Sequence, residues 1–360
     1  MLKKLAYKSI LLAILTITTV GNIFAENNHS SEESEKFNPV PVIMHHISDA
    51  HEWHLFGDVS VPLPVILWTD NGLVTFMSSA FHHNDDGTFV VEKNGMNFVK
   101  NHEKIYQLNA GETEAKFDEE HHITNAVKPT DISITKNVFA MLVSVLIILL
   151  VFFRVAGFYK KNPNKAPKGI ASFMEPLIIF VRDEIALVNI GEKKHLKFVP
   201  FLLTAFFFIW FNNLLGLIPW MPGGANVTGN IAVTLVLASF TLIITNINGN
   251  KEYWGHIFWM PGAPWPVKLL LAPIELVGVL TKPFALMIRL FANITAGHIV
   301  VLSLISLIFI FKNVGMSAVS VPFTLFISVL ELLVAFLQAY VFTMLSALFI
   351  GTAVAEHEHH

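Results

Sequence analysis

Arg289, Asn293, His298, Glu331 and Gln338 are polar or ionisable side chains set inside apolar runs, and that placement makes them candidates for chemistry. The chain has three arginines. Arg154 and Arg182 stand at or beyond the edges of apolar stretches, whereas Arg289 stands inside one, in Lys282-Pro-Phe-Ala-Leu-Met-Ile-Arg289-Leu-Phe-Ala-Asn293-Ile-Thr-Ala-Gly297-His298. A guanidinium does not discard its proton, and holding one at the centre of a bilayer costs at least ~3 kcal/mol. Arg289 must therefore face protein, water or a partner charge. At about 100° per residue, Asn293 falls on the Arg289 face and His298 on the opposite one. Glu275, fourteen residues earlier, lies near the Arg289 face but ~21 Å along the axis. Glu331 and Gln338 are seven apart and share a face of the last apolar segment. An imidazole and a carboxylate in reach of each other can pass protons in both directions near neutrality.

These residues need long apolar helices to carry them. The chain is 53% hydrophobic and 14% charged, which fits an integral membrane protein with a polar appendage. A net charge of −3 argues against a nucleic-acid partner, and without cysteine there is no disulfide, thiol nucleophile or thiolate metal site. No G-x-x-x-x-G-K-[ST] loop is present, so no nucleotide site and no cofactor is expected on this chain. Apolar spans are predicted at about 137–158, 198–219, 230–247, 267–311 and 321–352, with an amphipathic helix at about 170–190 that holds Glu175, Arg182 and Asp183. The last two spans exceed the ~20 residues of an upright crossing and must tilt, kink or lie partly along the membrane, with Pro273 and Pro283 as kink points. Arg154, Lys160, Lys161, Lys165 and Lys168 follow the first span and mark that side as cytoplasmic. The expected fold is an all-α polytopic membrane protein of five transmembrane helices plus a surface helix. A small β-rich extracytoplasmic domain precedes it.

The chain therefore divides into a signal segment (1–25), an extracytoplasmic part (26–136), a membrane domain (137–354) and a short cytoplasmic tail (355–360). Lys3, Lys4 and Lys8 followed by Ile10 to Val20 read as a secretory signal, with cleavage after Ala25. Residues 26–136 hold 18 Asp and Glu, 7 Lys and ten of the 16 histidines, including His45-His46, His82-His83 and His121-His122. The histidine pairs lack zinc-finger or helical i,i+4 spacing, so no metal site is assigned. From about Val40 to Leu108 the pattern is of strands, with Asp70-Asn71-Gly72 and Asn94-Gly95 between apolar runs as hairpin turns. A charged linker to Asp131 is expected to follow.

The Arg289 segment resembles subunit a of the rotary, F-type ATP synthases. Asn213-Leu-Leu-Gly-Leu-Ile-Pro219, Glu275 with Lys282-Pro283, and Glu331 to Gln338 match the same family in order and spacing, over about residues 137–352. The resemblance implies a stator subunit in a bacterial inner membrane, with a tilted helical hairpin against a ring of c subunits, and with the b stator subunits and the catalytic head as further partners. It implies that Arg289 favours the ionised form of a ring carboxyl and bars protons from crossing directly between two half-channels. Gln338 would be a polar partner near that arginine, and His298 with Glu331 a relay lining a half-channel. Asn293 and Glu275 are further candidates. The resemblance leaves residues 26–136 without a role.

Two other classes compete on the residues alone. A stand-alone transporter would show repeated halves with paired broken helices, and no internal repeat is visible. A membrane-anchored binding protein would leave Arg289, Glu331 and Gln338 without a purpose. One expectation is tested on the purified protein: N-terminal sequencing should return a chain that begins at or near Glu26. A chain that begins at Met1 would add a sixth span.

Overall fold

A computed structural model describes residues 37–355, apart from 57–58, 120, 163–164, 219–220, 222, 261 and 263. The predicted signal segment and the tail beyond Ala355 lie outside the described residues. The fold is mostly helical, with a β-rich region near the N-terminus.

The described chain opens with a helix where strands were expected. α1 (Pro39–Ile47) starts at Asn38, whose side chain accepts from the Val40 amide, with Pro39 in the first turn. Asn-Pro is a helix-start signal that outweighs the β-branched run after it. The strands are β1 (Glu52–Phe56), β2 (Val59–Pro62), β3 (Pro64–Thr69), β4 (Gly72–Met77), β5 (Asp86–Lys93), β6 (Met96–Asn101), β7 (Lys104–Leu108), β8 (Ala126–Val127) and β9 (Thr130–Asp131). They form three antiparallel sheets, ordered β1-β2, β4-β3-β9 and β5-β6-β7-β8. Asn94 and Gly95 take φ of 53° and 72° between paired Lys93 and Met96, as a two-residue hairpin turn requires. Val65, Leu67, Val74, Phe81, Phe98 and Ile105 form the core of this region.

The stretch after Leu108 is more than a linker. β8 pairs with β7, and β9 returns to pair with β3, with Leu67 opposite Asp131. That return delivers Asp131 to His51, whose Nε2 lies 2.9 Å from Asp131 Oδ2. Glu103 reaches the same histidine at 3.9 Å and accepts the His51 amide. Lys100, only 2% exposed, stands among Glu52 (3.4 Å), Glu103 (3.6 Å) and Asp85 (3.9 Å). The histidine pairs do not converge: His83 bonds Glu52, His82 packs edge-on against Phe89, and His122 pairs with Asp118.

The membrane part comprises α2 (Lys136–Lys161), α3 (Ile170–Ile179), a π-helical continuation (Phe180–Leu187), α4 (Val188–Ile190), α5 (His195–Gly216), α6 (Ile231–Ile247), α7 (Lys251–Phe258), α8 (Trp265–Phe311) and α9 (Ser317–Val354). Four of these, α2, α5, α8 and α9, are long and apolar enough to cross a membrane. The span predicted at 230–247 is a 17-residue helix that turns by 103° into α7. The break falls at Asn248-Gly249, and Asn250 starts the new helix by accepting from Tyr253 N. α8 runs unbroken for 47 residues through both Pro273 and Pro283, a length of about 70 Å. That is more than twice the ~30 Å hydrocarbon layer, so α8 either tilts or extends beyond it. The core of the helical part joins Met174, Ile185, Leu202, Phe206, Leu290 and Phe342, from α3, the π-helical segment, α5, α8 and α9. At its far end α9 passes so close to the Asn189 carbonyl that Gly351 leaves no room for a Cβ.

The His51 cluster yields a pH test. Burial disfavours the imidazolium, but Asp131 and Glu103 outweigh it and hold His51 up at about 9. An unfolded histidine titrates near 6.5, so the folded state binds the extra proton. Stability from this site, up to ~3 kcal/mol, is full below pH ~6.5 and is lost as pH rises through ~9. Calorimetric melting of the purified protein should show the β-rich region loosening over that range, and His51→Gln should flatten the dependence.

Candidate functional site

α8 presents two unlike faces. On one side Pro283, Leu286, Met287 and Leu290 are buried against the helical core. On the other, Arg289 is exposed next to Phe284 and Ile288, which are also exposed. The spacing Leu286, Met287, Leu290 at i, i+1, i+4 fixes the buried stripe and so turns position 289 away from it. Among the described residues Arg289 has no hydrogen bond or ion pair.

Nine residues further on, His298 is half-buried and lies on the other side of the helix. It lines a cavity of about 250 Å³ between α5, α8 and α9, together with Asn213, Asn293, Gly297, Glu331 and Val334. Three elements thus supply the polar groups of one cavity: the C-terminal part of α5, the centre of α8 and the centre of α9. The walls are otherwise Leu217, Ile294, Ile327 and Leu330, so the polar groups stand in mostly apolar surroundings.

Two glycines make this geometry possible. A Cβ at Gly297 would stand 2.5 Å from Glu331 Oε1, so glycine lets the carboxylate of α9 lie against the backbone of α8. A Cβ at Gly216 would sit 3.2 Å from Ala225 O and 3.9 Å from His298 Nε2. The Asn213 side chain ties the cavity wall together: its Nδ2 donates to Ala335 O at 3.3 Å, and its Oδ1 accepts from Thr228 Oγ1 at 2.5 Å. Asn213 belongs to the Asn213–Pro219 motif, but nothing in that motif alone marks it as a cavity residue. Gly297 and Gly216 carry no sequence signal either, because the close neighbours are a side chain of another helix and a loop carbonyl.

His298 and Glu331 line the same cavity without a direct hydrogen bond between them. The cavity has room for several water molecules, which occupy roughly 30 Å³ each in the liquid. Asn293 lines it too while remaining exposed one turn from Arg289. Gln338 is buried at 7% exposure, two turns along α9 from Glu331, and does not line the cavity. Glu275 is half-exposed and stands apart, fourteen residues before Arg289. A separate recess of about 10 Å³ lies on that side, between Lys282, Pro283, Tyr253 and Phe349. Arg289 lines neither space.

Residues 138–351 match the family of the ATP synthase A chain, and residues 42–132 match a separate family described as a domain of unknown function (DUF8433). An ATP synthase subunit a from Chloroherpeton thalassium is 50% identical over 233 residues, covering 64% of this chain and 69% of that protein. One from Chlorobium phaeobacteroides strain BS1 is 52% identical over 237 residues, covering 64% and 68%. One from Myxococcus xanthus is 48% identical over 235 residues, covering 64% and 76%. With half the residues identical across most of those proteins' length, the chain belongs to the ATP synthase subunit a family.

Proposed function

We propose that this chain conducts ions to and from a rotating c-ring as the stator of a bacterial ATP synthase. Subunit a is a membrane-sector protein that is not an enzyme on its own, so its task is positioning and conduction. The observation that carries the reading is Arg289: a permanent cation on an exposed apolar face of α8, with no partner among the described residues. A charge in that position needs an acid from another chain. A carboxyl on each ring subunit meets the need. It travels neutral past lipid, ionises beside Arg289 and releases its ion there.

The supply route lies on the opposite face. His298 is ~13.5 Å along α8 from Arg289 towards the end that carries the β-rich region. With Glu331, Asn213 and Asn293 around one cavity, it forms the half-channel on that side, and water links its imidazole to the Glu331 carboxylate. Glu275, ~21 Å along the axis in the other direction, marks the second half-channel. Arg289 stands between the two and does not give up its proton, so ions cannot cross without the ring. Gln338, level with Arg289 on the antiparallel α9, supports the ring-facing site. The fifth span is α6, continued by α7 along the surface. The β-rich region is periplasmic, and α9 ends on the cytoplasmic side after the basic residues that follow α2 have set the orientation. The b stator subunits and, through them, the catalytic head complete the set of partners.

Arg289→Ala should assemble with the ring yet lower ATP-driven proton pumping in reconstituted vesicles by roughly 100-fold or more, as losing one fixed charge at a reacting centre does elsewhere. Arg289→Lys should rescue little, because a buried ammonium deprotonates and lacks the guanidinium fork. Normal acidification by Arg289→Ala vesicles would overturn the assignment.

The relay is tested by exchange. Glu331→Gln or His298→Ala should each slow proton flux and shift its pH dependence, while water keeps a residual path open. The double variant with His298→Glu and Glu331→His should recover part of the loss. A double-mutant cycle reads the coupling directly, and strict additivity without recovery would show that the two side chains act separately.

A further inference from the structure

The β-rich region is docked on the membrane part at the end where the His298 cavity lies. Trp53 of β1 packs edge-on against Phe139 of α2 at 5.6 Å and joins Ala140, Ala225 and Val227 in one buried cluster. Ala225 and Val227 belong to the loop that joins α5 to α6. The same loop supplies Thr228 to Asn213 of the cavity wall, and Ala225 O lies against Gly216 beside His298. One short segment thus touches the N-terminal region on one side and the cavity lining on the other.

The seam is polar where an ordinary domain contact would be dry. Asn226, between the two loop residues packed on Trp53, is 6% exposed, and among the described residues neither its Oδ1 nor its Nδ2 has a hydrogen-bond partner. Asn137, at the head of α2, is 4% exposed, and its Oδ1 is likewise unmatched. A buried amide with no partner costs about 1–3 kcal/mol, and such groups are ordinarily satisfied by buried water. Charged groups border these two residues. Asp49 accepts from Asn137 N at 3.0 Å and from Thr135 Oγ1 at 2.9 Å. Lys136, 8% exposed, donates to His46 O at 3.2 Å. Lys136 feels the charges of Asp49 and Glu103. Burial pushes the Asp49 carboxyl up, against the hydrogen bonds from Asn137 and Thr135 and the charges of Lys136 and His51.

We propose that ions enter the His298–Glu331 cavity through this seam, along water held by Asn137 and Asn226 beside Asp49 and Lys136, so that the N-terminal region forms the inlet of the half-channel. Asp49 balances Lys136, and the balance sets how much positive charge an arriving proton meets on its way to His298. The inference rests on reading the cavity as a half-channel.

The chain has no cysteine, which allows a test on the assembled complex. Asn226→Cys is introduced, the complex is treated in detergent with a cationic methanethiosulfonate or left untreated, both are reconstituted, the catalytic head is stripped from the vesicles, and passive proton flux is compared. Labelling of this chain should lower the flux by about tenfold, the effect of losing one well-made polar link. Asn226→Leu should lower it comparably, with the ring still co-purifying, and Asn226→Ser, which keeps a polar group, should lose less. An unchanged flux in labelled Asn226→Cys and in Asn226→Leu, while Glu331→Gln slows it, would overturn the inlet and leave the half-channel standing. An unchanged flux in Glu331→Gln would overturn the half-channel and the inlet with it.

Discussion

A guanidinium that cannot lose its proton and finds no acceptor among the described residues constrains everything around it. Arg289 is tolerable in an apolar helix only if α8 is held at a fixed rotation, so that the charge faces a partner instead of drifting into lipid or into the core. Leu286 and Leu290 supply that hold from behind, in a core shared with Phe206 of α5 and Phe342 of α9. Their burial restrains rotation because turning α8 by one position would expose large apolar side chains and drive a cation into a close-packed interior.

The same rotation assigns His298 its place. Nine residues, or two and a half turns, separate it from Arg289, so a helix that fixes one side chain outward fixes the other inward. Small residues meet at the cavity: Gly297 lets the Glu331 carboxylate lie close to the backbone of α8, and Gly216 stands near the imidazole. Larger residues would close the gap and leave the two ionisable groups packed against hydrocarbon. Separation of the fixed cation from the water-accessible acid and imidazole, on opposite faces of one helix, keeps the charge of Arg289 from being neutralised by its own chain.

The N-terminal region adds a second set of buried charges under a different rule. Lys100 among three carboxylates, and His51 between Asp131 and Glu103, are compensated in place, whereas Arg289 has no partner among the described residues. The arrangement has a backbone cost. His102 and Glu103 form a turn with φ of 50° and 58° without glycine, a conformation that costs of order 1 kcal/mol or more per residue and persists where the surroundings over-determine it. Here the carboxylate of Glu103, accepting the His51 amide, is what the surroundings require.

Hydropathy and spacing by themselves determined the helical spans, the surface helix, the two Asn-Gly-type hairpins and the unusual position of Arg289. All of these follow from local rules: apolar length, a period of about 3.6 residues, turns that need positive φ. They also put His298 opposite Arg289, since a single helix fixes that angle. Where a local signal was overridden or missed, the cause was nearby chemistry, as when Asn38-Pro39 began a helix in a run of β-branched residues, or when Asn248-Gly249 and the cap at Asn250 turned the chain from α6 into α7. Other features could be decided only by the tertiary structure. The return of Asp131 to His51 depends on a pairing across more than sixty residues, and the need for glycine at 297 depends on a carboxylate from another helix. The gathering of Asn213, His298 and Glu331 around one cavity, and the seam at Asn226, depend on helices and a loop that meet only when folded. Contacts between segments distant in the chain leave no period in the sequence, because each side chain meets its local rules equally well whichever partner the fold brings to it.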